Sequence, residues 1–177
     1  MFSSEEKKHY MTLAFDEAKK AEEQDEVPIG AIVVDPDGKV IGRGYNRREL
    51  DNIATHHAEI LAINEACQNL NSWRLIDCSL FVTLEPCAMC AGAIINARLK
   101  AVYYGAPDHK AGASGSVVDL FKVEKFNHHP QVVPGLFREQ AGQMLTNFFR
   151  AIRAKQKAKK AQEKADDASQ NDENKLS

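Results

Sequence analysis

The spacing of apolar positions divides the chain into alternating helices and strands. Met11, Ala14, Ala18 and Ala21 recur at helical intervals, so residues 4–23 read as an amphipathic helix. Ser3 with Glu6 is a capping-box pattern for its start, and Asp25 to Pro28 break it. Ile29 to Val34 is a short β-branched run, Asp35-Pro36-Asp37-Gly38 is turn chemistry, and Val40 to Tyr45 resumes as extended chain. These three segments predict an antiparallel hairpin that exits through the polar Asn46-Arg47-Arg48. Thr55 is placed to cap a helix starting near His56, which Ala58, Leu61, Ala62, Glu65 and Ala66 carry to about Leu70. His57 and Glu59 then fall in its first turn. Leu80 to Leu84 is apolar on both faces and predicts a central strand. Pro86 ends that strand, a helix runs from Cys87 to about Ala97, and Ala101 to Gly105 forms a fourth strand. This strand–helix–strand order predicts a parallel crossover.

Pro107 to Ser116 is a Gly-rich loop carrying Asp108, His109 and Lys110, and Val117 to Phe121 reads as a helical turn. Gln131 to Val133 supplies a fifth strand. Gly135 to about Ala161 reads as a long helix with Leu136, Leu145, Phe148, Phe149 and Ile152 at its apolar positions; of the two phenylalanines, one is expected to face outward. The last thirteen or so residues are polar and acidic, a composition that predicts disorder.

At 177 residues the chain is long enough for one domain with one full core. An apolar content of 44% and a charged content of 27% are those of an ordinary globular protein. No apolar run approaches the roughly 18 residues that span a bilayer, and the start of the chain lacks the apolar region of a secretory signal. The four cysteines are not spaced as a disulfide framework, which favours the cytoplasm. A net charge of −2 argues neither for nor against nucleic acid, but its distribution is uneven. Arg150 to Lys164 holds seven Lys or Arg and one Glu, and Ala165 to Ser177 holds four acids and one Lys.

Two short runs carry the chemistry. His57-Ala58-Glu59 is H-x-E, and Pro86-Cys87-Ala88-Met89-Cys90 is P-C-x-x-C. One imidazole and two thiols make three ligands for a zinc ion and leave a fourth position open, the pattern of catalytic rather than structural zinc. Water in that position becomes a nucleophile near neutral pH. Glu59 is the spare carboxylate, suited to general acid–base work. Cys87 and Cys90 fall on one face of a helix start, where thiol pKa values are lowered. Alone, C-x-x-C could be a redox pair or half of a structural zinc site completed by His109, His128 or His129. The H-x-E partner at the right separation makes the combination specific, and it resembles the signature of the zinc nucleobase deaminases. Of the adjacent histidines, only His57 has the ligand spacing, and His56 is expected on the rim. Cys67 and Cys78 read as small buried hydrophobes.

Longer runs extend the match. P-I-G-A-I-V-V-D, T-x-H-A-E-I-L-A-I, S-W-R-L, L-F-V-T-L-E-P-C-A-M-C-A-G-A-I, D-x-K-A-G-A-S-G-S and the closing F-F-R resemble the bacterial tRNA-specific adenosine deaminases, the TadA family, over residues from about 5 to 155. The H-A-E and P-C-x-x-C runs are shared with the wider cytidine deaminase-like superfamily. The resemblance implies a three-layer α/β/α sandwich of α/β class with a five-stranded mixed sheet. It implies a deaminase domain over residues 1–155, followed by a basic helical extension and acidic tail over 156–177. It also implies a homodimer with one Zn2+ per subunit on His57, Cys87 and Cys90. The activity implied is hydrolytic deamination of the wobble adenosine of a tRNA anticodon, ACG in an arginine tRNA, by zinc hydroxide attacking C6 with Glu59 shuttling the proton. Asn46, Asp108, Lys110, Phe149 and Arg150 are the substrate contacts it implies. Position 56 is a departure: a histidine stands where the family commonly has a small residue. The competing functions are the same chemistry on a free base or nucleotide, a non-catalytic RNA-binding module with structural zinc, and a silent partner subunit. The last two have no use for Glu59.

Overall fold

The computed structural model describes residues 2–173, with side chains described through residue 162. Helix α1 spans Ser4–Glu23 and opens on the expected capping box: the Glu6 N–H donates to Ser3 Oγ at 3.2 Å and the Ser3 N–H to Glu6 Oε2 at 2.7 Å. Strands β1 (Gly30–Val34) and β2 (Val40–Tyr45) form the antiparallel hairpin. A short helix, α2 (Arg48–Asp51), follows where only a polar exit was expected. Helix α3 covers Ala58–Asn69, β3 Ser79–Leu84, α4 Ala88–Asn96 and β4 Ala101–Ala106. A 3-10 turn at Leu120–Lys122 lies a few residues beyond the helical turn expected from Val117. Strand β5 is Gln131–Pro134, and α5 runs Arg138–Glu173. The long helix thus continues past Ala161 into the stretch whose composition predicted disorder. The end of that stretch, residues 174–177, lies outside the described residues.

The five strands form one mixed sheet in the order β2-β1-β3-β4-β5. The β1–β2 and β1–β3 pairs are antiparallel, and β3–β4 and β4–β5 are parallel. Successive side chains along a strand point to opposite faces. Ala31, Val33, Leu80, Val82, Val102 and Tyr104 accordingly join α3 and α4 in one core, while Ile32, Val34, Phe81 and Tyr103 join α1 and the start of α5 in another. Both faces are covered, which is why β3 reads as continuously apolar and sits at the centre of the sheet. Among the described residues no helix is long and apolar enough to cross a membrane.

Close packing of α3 on β2 requires a glycine. A Cβ at Gly44 would lie 2.2 Å from the Ala58 carbonyl oxygen, at the first residue of α3. The bare backbone there sets the height of the α3 N-terminus over the sheet.

Candidate active site and metal-binding cluster

The ends of β2 and β3 and the starts of α3 and α4 meet at one edge of the sheet. His57 is the N-cap of α3 and Cys87 the N-cap of α4, and neither side chain makes a capping hydrogen bond. His57 therefore precedes the first turn instead of lying in it, and Thr55 does not cap. The residues between α2 and α3 absorb the difference: the His57 N–H donates to the Thr55 carbonyl at 2.8 Å. Both side chains are left free to converge.

They do so with Cys90. The ligand atoms of His57, Cys87 and Cys90 lie within 4.8 Å of one another. His57 Nδ1 faces both sulfurs, 3.7 Å from Cys87 Sγ and 3.6 Å from Cys90 Sγ, so Nδ1 is the nitrogen offered to the cluster. Cys90 is fully buried behind the other two. A hydrogen bond from Cys90, with help from His57, brings the Cys87 thiol down to about 4, despite burial. The Cys90 thiol is pushed far up by that same bond and by burial. The His57 imidazole is raised by its bond to Cys87. A cation entering the cluster would take the place of protons on these groups. Two sulfurs and one nitrogen suit zinc. The cluster found among the described residues has three members; of the alternative fourth ligands, His109 lines the neighbouring cavity outside the cluster, and the other two are engaged elsewhere. His128 Nε2 is 2.7 Å from the Leu99 carbonyl, and His129 Nδ1 is 3.1 Å from that of Phe121.

Glu59 is buried beside the cluster, 4% exposed. Burial lifts its carboxyl to about 7, against the stabilising pull of its own backbone N–H and of His57. A carboxyl poised near neutrality can both take and give a proton.

A cavity of about 460 Å³ opens in front of these groups, within the size range of small-molecule sites. Asn46, His57, Glu59, Cys87, Asp108, Lys110 and Phe149 all line it, together with Arg48, His109 and Leu145. Of the residues expected at the site, Cys90 lies behind the wall and Arg150 lies outside the lining, one position along α5. Phe149 is the outward-facing phenylalanine, 44% exposed, while Phe148 is buried. Asp108 Oδ1 accepts the N–H groups of Lys110 and Ala111 at 2.9 and 3.2 Å, so its carboxylate also shapes its own loop. His56 turns from the cavity to α2: its Nδ1 is 2.7 Å from Asp51 Oδ2, and Arg47 forks onto the same carboxylate.

Two buried acids escaped sequence reasoning. Glu26, 1% exposed, accepts from Asn46 Nδ2 at 3.0 Å and from the Leu50 N–H at 2.7 Å, and so fixes the amide that faces the cavity. Glu85, 2% exposed, gathers the 107–116 loop. It accepts the N–H groups of Asp108, Ser114 and Ser116 at 3.0, 2.9 and 3.1 Å, and the Ser116 hydroxyl as well. Burial would raise this carboxyl, but the Ser116 hydroxyl and those three N–H groups hold it below its ordinary value. Gly112 is part of the same arrangement, since a Cβ there would come within 2.5 Å of the Glu85 carboxyl carbon. Only the Glu85-Pro86-Cys87 run hinted at this role.

Removing the Glu85 carboxylate leaves buried donors unpaired, and hydrogen bonds to charged groups are each worth about 1.5–3 kcal/mol. Glu85→Ala should cost about 3–5 kcal/mol of unfolding free energy in a urea titration and strip residues 108–116 of amide-exchange protection. Glu85→Gln, with one acceptor oxygen left, should lose less. Wild-type exchange in the Glu85→Ala loop would remove Glu85 as its anchor.

Residues 5–153 match the model of the MafB19-like deaminase family. A tRNA-specific adenosine deaminase of Bacillus subtilis is 50% identical over 149 residues, covering 84% of this chain and 92% of that one. A structure from work on A-to-I editing by tRNA:A34 deaminases at the wobble position of transfer RNA is 48% identical. It superposes with a TM-score of 0.74 over 77% of this chain and 98% of the other. A guanine deaminase from Bacillus subtilis is 38% identical with a TM-score of 0.54, covering 60% of this chain and 66% of that one.

Proposed function

From the premise that the chain belongs to the MafB19-like deaminases and, among them, to the tRNA-specific adenosine deaminases, we propose that it hydrolyses the wobble adenosine of a tRNA anticodon to inosine. The observation that carries this reading is the convergence of a buried, near-neutral Glu59, a His57–Cys87–Cys90 cluster and the Asn46 amide on one cavity.

In this proposal His57 Nδ1, Cys87 Sγ and Cys90 Sγ hold one zinc ion. Zinc bound there supplies a Lewis acid that makes water nucleophilic near neutral pH. Glu59 takes the proton from the attacking water and delivers it to adenine N1 as the C6–O bond forms. It then carries a second proton to the exocyclic nitrogen, so that adenosine and water become inosine and ammonia. Asn46, held by Glu26, hydrogen-bonds the nucleotide in the cavity. The backbone N–H of Cys87, at a helix start, faces developing negative charge. Asp108 and Lys110 contact the ribose and its neighbours, and Phe149 and Arg150 receive flanking nucleotides by stacking and phosphate pairing. The target lies in a single-stranded loop, so turning the base out of its stack costs little. Residues 1–155 make up the deaminase domain and 156–177 an appendage. The zinc identity, the homodimer and the cytoplasmic location rest on family membership.

A free purine is the second reading, favoured by the 38% identity to a guanine deaminase. Zinc-loaded protein should convert an arginine-tRNA stem-loop bearing ACG to the inosine form while leaving free adenosine, cytidine and guanine unchanged, as read by nucleoside chromatography. Conversion of a free base alone would keep the zinc chemistry and discard the tRNA substrate.

A further inference from the structure

Helix α5 contributes Leu145 and Phe149 to the cavity wall and then continues well beyond Arg153, where the family match ends. Residues 150–164 contain seven Lys or Arg and a single acid, Glu163, one turn beyond Lys159 and Lys160. Solvated helices usually offset such charge with acids one turn away. Here Arg153 and Lys157 are like charges four apart, and Lys157 and Lys160 three apart, spacings that oppose the helix unless an anion lies over them.

Four of the six basic positions of residues 150–162, Arg150, Arg153, Lys157 and Lys160, fall within an arc of about 80°, while Lys155 and Lys159 lie outside it. At 100° per residue, Arg153, Gln156 and Lys160 fall on the side that bears Leu145 and Phe149, with Lys157 on its flank. Arg153, Gln156, Lys157 and Lys160 line one shallow groove along the helix. Lys155 turns to another side, and its Nζ is 2.6 Å from Asp25 Oδ1. That pair ties the helix to the turn after α1, next to Glu26, the residue that holds Asn46 in the cavity wall. A basic stripe therefore starts at the cavity mouth and extends about 16 Å from Phe149 to Lys160 at the helical rise.

Building on the tRNA-deaminase reading, we infer that residues 153–160 of α5 form a phosphate-binding arm for the RNA backbone that flanks the target nucleotide. The arm adds affinity and salt dependence without touching the reacting atoms. Each phosphate contact contributes about 0.7–0.9 to the slope of log K against log salt.

The test uses the full chain carrying Lys157→Gln and Lys160→Gln, a fluorescein-labelled anticodon stem-loop, and anisotropy titrations from low to high NaCl. The slope should fall by about 1.5 and affinity at 0.1 M NaCl by about 10–50-fold. KM should rise while kcat stays constant. Lys157→Arg with Lys160→Arg, which keeps the charge, should restore the slope. Lys39→Gln with Lys100→Gln, at the opposite edge of the sheet, should leave it unchanged. An unaltered slope in the first variant, with wild-type inosine formation, overturns the arm and spares the deaminase reading. Wild-type protein that neither binds nor converts the stem-loop overturns both. If the substitutions instead abolish co-sedimentation with phosphatidylserine vesicles at an unchanged RNA slope, the stripe faces a membrane surface and the RNA assignment falls.

Discussion

Glu59→Gln should bind zinc as the wild type does and lower kcat for inosine formation by about 10²–10⁴-fold, the range for a lost proton-transfer group. The substitution is nearly isosteric in a site that is 4% exposed, so packing is retained. What disappears is the ability to accept a proton. Metal analysis together with single-turnover kinetics separates the two effects, and a variant that keeps wild-type turnover would remove Glu59 from the mechanism. The same position makes a pH prediction for chain stripped of metal. The Glu59 pKa is raised from 4.5 to about 7. Between those values the folded chain holds a proton that the unfolded chain has released. Its contribution to stability is therefore complete below pH 4.5 and fades as pH rises to about 7. Glu59→Gln should flatten that slope in thermal unfolding measured between pH 4.5 and 8.

Cys90→Ala should abolish stoichiometric zinc binding, with activity lost in proportion. Perturbing groups that merely support a metal ligand costs about 10–100-fold in affinity, and Cys90 is a proposed ligand, so its loss should exceed that. A ligand present at 100 times its dissociation constant stabilises a fold by about 2.7 kcal/mol. For a domain of this size that is about 5–10 °C in Tm. Wild-type protein should thus gain that margin when zinc replaces chelator in a calorimetric scan, and Cys90→Ala should not. Cys67→Ser, outside the cluster, should behave as wild type. Full zinc content in the Cys90→Ala protein would sink the three-ligand assignment.

Much of the site was legible because its information is local. In H-x-E and C-x-x-C, partners sit two and three residues apart, so each run brings its groups to the start of one helix without help from distant residues. The alternation of Ile32 and Val34 against Ala31 and Val33 likewise fixes which side chains enter which core. Glu26 and Glu85 were illegible for the opposite reason. Their partners lie 20 to 31 residues away, and an acid reads as a surface residue until the fold brings donors to it. The misplaced start of α3 has a similar origin. Thr55 has the chemistry of a cap, but α2 and the turn behind it consume the chain, and Gly44 sets where α3 can first rest on the sheet. Continuation of α5 past Ala161 was missed because acidic polar composition speaks for solvation and says little about helix length.

The two proposed ligands at helix N-caps have a consequence for the order in which the molecule is assembled. The helices that follow them reach the apolar interior through Ala58, Ala62, Ala91 and Ile94, none of which depends on an ion. The chain should therefore fold first and take up the proposed metal afterwards, in contrast to small zinc domains that are unfolded without one. Chelation should leave a folded, inert protein that regains activity on adding zinc back. A cell short of zinc would then hold a reserve of this chain awaiting its ion, with no need to synthesise it anew.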